Sequence, residues 1–461
     1  MQEERAETVA DEVLAPDAPS EEEAEAAEPG GVRALVSGDT QWVRSTAGAA
    51  ASAQLVRTDR NGNSYMVMTY GAGTSLQGVP LPGTGGFAVA SHTPTGALRW
   101  LRAFSCTGAE DRPNAFDLWV TPGGRSLILL DGPCTGDFGA GPISGRALLL
   151  VLGNGGQHRW SRALVGSQAD VASLRDASVT VSPTTQAVLV AAELGQRTIV
   201  EGVVYDTSPN VGSLYLRYTD RGTLLGRTLL RDPRGNIHVE DVAYDNTGRL
   251  NAQFTFNGTV DFGDGPRVAN GNAALLLARY QLSRRLRWAR HYPGDFIGLG
   301  LATLGNRVVA VGSFLGELRF RGRTFSSIPD PRLGRASQGF VLALRRDSGG
   351  ESWLQLRGRS VDDVDINVGD GVVTAGRFQG VGPVPPASFF AKFVGKYDRL
   401  TGRSLWRRVL DFDGDVNAVA ITPSQRVLAC GSFASPTDFG TGVLTPTPPG
   451  NPQAFLMRMD P

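Results

Sequence analysis

Apolar residues fall along this chain in short runs separated by Gly, Asp, Asn, Pro and Arg. The longest run, Ala147–Leu152, has the length of a strand and falls far short of the roughly 18 residues a membrane-spanning helix needs. Near the C-terminus the pattern reads as strands over Val416–Ile421 and Arg426–Phe433. A loop over Ala434–Pro452 follows, and then a returning strand over Ala454–Met459. The same template predicts strands over Leu301–Leu304, Arg307–Phe314 and Gly339–Arg345. Each such unit, counted from its Trp-bearing strand, holds four strands with a long connection before the last.

Tryptophan sets the register of the repeat. Trp42, Trp100, Trp160, Trp288, Trp353 and Trp406 each follow a turn, and all but Trp353 have Arg two residues later (Arg44, Arg102, Arg162, Arg290, Arg408). Gly stands four residues before five of them, at Gly38, Gly96, Gly156, Gly349 and Gly402, while Trp288 has Arg284 there. The long gap between Trp160 and Trp288 is filled by a unit that starts at Gly222 and carries Gly226 in the Trp position. The successive spacings are then 58, 60, 66, 62, 65 and 53 residues, with 55 more to the end, which makes seven units.

Four strands per unit is the blade of a β-propeller, an architecture that leaves only short, protected sheet edges around a central channel. The chain finishes at Met459-Asp460-Pro461, the residue set that elsewhere precedes a Gly-x-x-x-Trp turn. Its first folded residues are Gly38-Asp-Thr-Gln-Trp42. The N-terminal strand is therefore expected to complete the C-terminal blade. The predicted fold is an all-β, seven-bladed propeller of four-stranded blades over residues 32–461.

Composition agrees with a chain that turns often: 59 of 461 residues are Gly and 27 are Pro. Forty-five basic residues balance 45 acidic ones without forming a basic block, which argues against nucleic acid as a partner. Residues 1–31 differ from the rest, with nine Glu, two Asp, one Arg and no aromatic residue, and read as a disordered acidic tether. This segment lacks the basic start and apolar core of a signal peptide. Two expectations follow: a cytoplasmic chain, or one placed at the cell envelope, in the periplasm or on the surface, after removal of an export signal.

The stretch Lys396-Tyr-Asp-Arg-Leu-Thr-Gly-Arg-Ser-Leu-Trp406 resembles the tryptophan-docking repeat of pyrroloquinoline-quinone-type propellers. The enzymes of that family have eight units, an adjacent cysteine pair and a metal-binding acidic set with a catalytic Asp. None of these is evident here, which argues against a quinoprotein dehydrogenase. Over residues 32–461 the chain is more similar to bacterial β-propeller repeat proteins of the SBBP kind, through Thr135-Gly-Asp-Phe-Gly139, Val260-Asp-Phe-Gly263 and Thr437-Asp-Phe-Gly440. That resemblance implies a propeller that is commonly exported and often has no assigned activity.

Among residues that could carry chemistry, the repeated Trp reads as packing between blades. Trp119 is out of register and open to a channel or core role. Cys106 and Cys134 occur in similar Cys-Thr-Gly contexts on connections expected to emerge on one face of the propeller. They form a disulfide candidate that favours an oxidising compartment, and Cys430 reads as a buried free thiol. Acidic residues gather at the starts of the inner strands: Asp117, Glu240 with Asp241, Asp295, Asp362 with Asp363 and Asp365, and Asp411 to Asp415. Asp117, Asp241, Asp363 and Asp415 are the ligand-binding candidates. Asp411, Asp413, Asp415 and Asn417 have the alternating oxygen side chains of a calcium loop but lack its distant bidentate Glu, and solvated turn carboxylates are the simpler account. The four histidines are scattered, and neither a zinc motif, a phosphate loop nor a nucleophile elbow occurs. No catalytic residue is assigned and no cofactor is expected, calcium being the one ion considered.

The leading functional expectation is a non-enzymatic, monomeric propeller, exported or tethered at a surface. It would bind a protein or polysaccharide partner through loops such as Phe325–Gln338 and Thr437–Pro452. The alternative is a carbohydrate-active hydrolase or lyase that uses acidic residues at the channel mouth, since a glycosidase needs only two suitably spaced carboxylates. Intracellular scaffolding is a third reading, for a chain that begins at Met1 in the cell.

Overall fold

In the computed structural model each predicted unit forms an antiparallel four-stranded sheet, and there are seven. Residues 38–106, 114–166, 174–195, 197–281, 285–327, 337–367, 369, 371–378 and 391–461 are described. The acidic segment 1–31 and residues 328–336 of the Phe325–Gln338 loop lie outside them. The innermost strands of blades 1 to 7 are Ala51–Thr58, Asn114–Val120, Ala177–Val181, Ile237–Tyr244, Asp295–Leu304, Ser360–Ile366 and Gly414–Ile421. Consecutive innermost strands touch around the whole circle, including that of blade 7 against that of blade 1. The ring closes as expected. Thr40–Ala47 pairs antiparallel with Gln453–Met459, with Val43 opposite Met457 and Ser45 opposite Phe455, and so forms the outer strand of blade 7.

Strand boundaries deviate where glycine breaks the apolar run. The inner strand of blade 5 begins at Asp295, six residues ahead of the expected Leu301. Its first six residues include Gly298 and Gly300, which have no side chain to signal burial. A Cβ on Gly298 would lie 2.6 Å from the Gln253 amide and 2.8 Å from Glu240. The Ala434–Pro452 stretch is not a plain loop either. It contains a hairpin of Thr437–Asp438 against Val443–Leu444, and its end bonds back to the start of blade 1 through Gly48 N–H to Thr447 O and Ala51 N–H to Pro452 O, both at 2.8 Å.

The tryptophans hold neighbouring blades together. Each indole packs over the left-handed glycine of the next blade's last turn: Trp42 on Gly96, Trp100 on Gly156, Trp160 on Gly222, Trp288 on Gly349, Trp353 on Gly402 and Trp406 on Gly38. A Cβ at any of these glycines would come within 2.5–3.1 Å of the ring, so the Gly-x-x-x-Trp spacing records a contact between blades. Indole N–H groups donate to backbone carbonyls in the same turns, for example Trp100 to Asn154 O at 2.7 Å and Trp353 to Arg399 O at 2.9 Å. The Arg two residues on completes the latch: Arg44, Arg102, Arg162, Arg290 and Arg408 donate to the carbonyls of Gly96, Gly156, Gly222, Gly349 and Gly38.

The three Asp-Phe-Gly loops share one construction. The Oδ1 of Asp137, Asp261 and Asp438 accepts the N–H groups of the glycines two and four residues on, at 2.7 to 3.1 Å. Those glycines have φ between 94° and 113°, a region that disfavours side chains. The intervening Phe138, Phe262 and Phe439 are buried and anchor the turn in the blade core. The loop connects the second and third strands, where, among the described residues, six blades carry a short extra hairpin or an extension of those strands.

Candidate functional site

The acidic residues of the inner strands converge on the channel because of a repeated bulge. Six inner strands slip register at the same level, between Ala53 and Leu55, Ala115 and Asp117, Val239 and Asp241, Gly298 and Gly300, Val361 and Asp363, and Val416 and Ala418. A bulge re-aims its side chains. Here the extra residues Phe116, Glu240, Leu299, Asp362 and Asn417 line a chamber of about 170 Å³ to which all seven blades contribute.

Neighbouring inner strands exchange no ladder hydrogen bonds, so their N–H groups need other acceptors, and the carboxylates supply them. Asp117 Oδ2 accepts Val179 N–H of the next blade at 2.8 Å, Asp241 Oδ2 accepts Leu301 N–H at 2.7 Å, and Asp363 Oδ2 accepts Val419 N–H at 2.8 Å. Asp365 repeats the contact two residues on, to Ile421 N–H at 2.9 Å, and in blade 3 Ser178 Oγ accepts Val242 N–H. Three of the four ligand-binding candidates are thus brought together, and all three serve as clasps between blades. Asp415 stands apart: it is half-buried near Lys392, whose Nζ donates to Phe412 O at 3.3 Å.

Arg57, a residue that sequence reasoning passed over, neutralises part of this ring. Its guanidinium grips Asp363 with two bonds, at 3.1 and 3.2 Å, and also donates to Val419 O. Burial opposes its charge, yet Asp363, Asp365 and Asp117 keep it firmly protonated. Arg57 sits in an ordinary-looking Val-Arg-Thr strand, and only the ring geometry turns it toward three carboxylates from other blades. Arg57, Asp117 and Asp241 line both the chamber and a larger cavity of about 340 Å³ at one channel mouth, so they form the partition between the two. Trp119 both lines that mouth and packs against the neighbouring hydrophobic core, so it serves channel and core together.

Burial raises several of the acids around the chamber. Burial, reinforced by Glu240, pushes Asp176 up to about 8, and burial raises Glu240 to about 7 against a hydrogen bond from Thr255. Asp365 rises to about 6 through burial, opposed by Arg57. Asp117 and Asp241 are both raised by burial, and both receive the Ser178 hydroxyl, at 3.0 and 2.6 Å. A single hydroxyl proton satisfies one of them, so a proton held on one carboxyl completes the trio.

Asp411, Asp413 and Asp415, three of the calcium candidates, lie within electrostatic reach of Lys392. Asp411 and Asp413 are exposed, and Asn417 donates to Ala53 O of blade 1 at 2.8 Å. No group of three or more His, Cys, Asp or Glu side chains among the described residues is placed to hold a metal ion. Asp295 bonds Asn272 outside the chamber. Cys106 and Cys134 form the expected disulfide, with Cα atoms 4.7 Å apart, and Cys430 is buried and free.

Ring closure, seven four-stranded blades and a channel crossed by an acid–arginine partition define the protein as a seven-bladed β-propeller. No family model matches the chain, and no curated protein matches it either. Solved structures with a similar fold include U3-55K, at 9% identity and a TM-score of 0.45 over 91% of this chain and 99% of that one. The Dos1 propeller (11%, 0.40, covering 91% and 93%) and the quinohemoprotein alcohol dehydrogenase of Comamonas testosteroni (10%, 0.39, covering 91% and 76%) are two others.

Proposed function

We propose that this propeller is a non-enzymatic binding scaffold whose second-to-third-strand hairpins contact a protein partner. The observation that carries the reading is a set of aliphatic side chains exposed at corresponding places on these hairpins. Val79, Val203, Val204, Val268 and Val443 all lie on the second hairpin strand of their blades, and exposure ranges from 38% to 64%. Exposed aliphatic groups rimmed by polar residues suit a protein interface.

The channel acids support this choice over a hydrolase. Glycoside cleavage needs one carboxyl to protonate the leaving oxygen and another free to attack or activate water. Asp117, Asp241 and Asp363 instead spend their oxygens on backbone N–H groups of the neighbouring blades. The disulfide supports an oxidising compartment, and with it export and the SBBP-like kinship that the Asp-Phe-Gly loops suggest.

The test exchanges the valines for Ser on the intact chain (Val79, Val203, Val204, Val268 and Val443) and compares partners captured from the native envelope. Loss of the partner with folding unchanged is expected, and full retention would refute the hairpin assignment. Turnover of an envelope polysaccharide that is abolished by Asp241→Asn would favour the hydrolase instead.

A further inference from the structure

Six of the seven tryptophans are latches, and Trp119 is the exception. It lies on the inner strand of blade 2, two residues beyond Asp117, so both side chains leave the same face of that strand. It packs against the core shared by blades 2 and 3 and borders the channel mouth, a cavity of about 340 Å³ with room for one sugar ring. Five of the latch indoles donate their N–H to a backbone carbonyl, at 2.7 to 3.2 Å. The Trp119 N–H meets no acceptor among the described residues.

Two more donors at the same mouth are unspent. Arg57 uses its η nitrogens on Asp363, Val56 O and Val419 O, while its Nε–H meets no acceptor among the described residues. Arg60, exposed at the rim, has no side-chain partner among them either. Acceptors stand beside these donors. Asp117, Asp241 and Asp365 line the same cavity, and each takes a backbone N–H of another blade through an oxygen that carries a second lone pair. The mixture selects the chemistry of a ligand. A carboxylate or phosphate would face three acids, and an ammonium would face two guanidinium groups. Hydroxyl groups donate to the acids and accept from the guanidinium and indole N–H groups without carrying charge. An indole at such a place suits a ring that is apolar on its face and polar at its edge.

We propose that this channel mouth binds one uncharged pyranose ring. Its C–H face lies on Trp119, and its hydroxyls meet Arg57, Arg60 and the carboxyls of Asp117, Asp241 and Asp365. The site lies on other residues than the hairpin valines and does not rest on them.

Glucose, galactose, mannose, rhamnose and N-acetylglucosamine are each titrated at millimolar concentration into the full chain by calorimetry, and at least one should bind saturably, one per chain. Trp119→Ala, with the fold checked by circular dichroism, should weaken that sugar at least tenfold. Arg60→Ala should weaken it severalfold and, at an exposed position, serves if the Trp119 variant misfolds. Free sugars and the end residues of glycans share this chemistry, and the α-methyl glycoside of the bound sugar separates them: retained affinity assigns a glycan end, lost affinity the free sugar. No saturable binding by any of the five, or unchanged affinity in either folded variant, would overturn the site. Glucuronate or glucosamine binding more tightly than every neutral sugar would overturn the uncharged class.

Discussion

Replacing Trp353 with Ala removes one latch, and its effect is calculable from the contact. The indole is 6% exposed, packs on the turn at Gly402 and donates to Arg399 O at 2.9 Å. Burying roughly 200 Å² of aromatic surface at about 25 cal/mol/Å² gives an upper bound near 5 kcal/mol. Buried Trp-to-Ala changes fall at about 3–5 kcal/mol, and the orphaned carbonyl acts in the same direction. We therefore expect a loss of about 4 kcal/mol in urea unfolding of the full chain. The glycine side provides the control. At φ 75° and with a Cβ 2.5 Å from the indole, Gly402→Ala should destabilise wild type severely but much less once the ring is gone, giving a coupling of about 1–3 kcal/mol in the double-mutant cycle. A Trp353→Ala loss below about 1 kcal/mol, or additive single variants, would refute the latch.

Three further outcomes are expected. Asp176, Glu240 and Asp365 have folded values of about 8, 7 and 6, above their unfolded ones, so between about pH 4 and 8 the native state holds more protons and stability falls as pH rises. Melting temperature should be higher near pH 5.5 than near 8.5, Glu240→Gln should flatten the slope, and a rising profile would contradict the assignment. Reducing Cys106–Cys134, which closes a separation of 28 residues, should lower stability by about 3–4 kcal/mol in the chain-entropy model, while Cys430 resists alkylation until unfolding; both are read by denaturation and thiol labelling. Arg57→Gln leaves Asp363 without its cation and should destabilise by about 3 kcal/mol, part of which Asp363→Asn should restore in the double variant when both are unfolded in urea.

The sequence alone carried the blade count, the closing strand, the disulfide pair and the structural part of the Trp, because each leaves a local mark at a fixed spacing: Gly-x-x-x-Trp-x-Arg within one turn, or a Cys-Thr-Gly context repeated. Even the blade without its Trp was visible, through Gly226 in the Trp position. The ring supplies the meaning of the spacing, since each of the six Trp packs on the glycine of the following blade. The channel divides the same way. Acidic residues at the inner strands were legible, whereas their work as acceptors for Val179, Leu301 and Val419 was not, because the N–H groups they satisfy lie 56 to 62 residues ahead in the chain. Arg57 faces Asp363 across 306 residues, a pairing that no local pattern encodes. Spacing along the chain specifies which turns and strands form, and closure of the ring decides which side chains share a dielectric environment, hence which acids are charged.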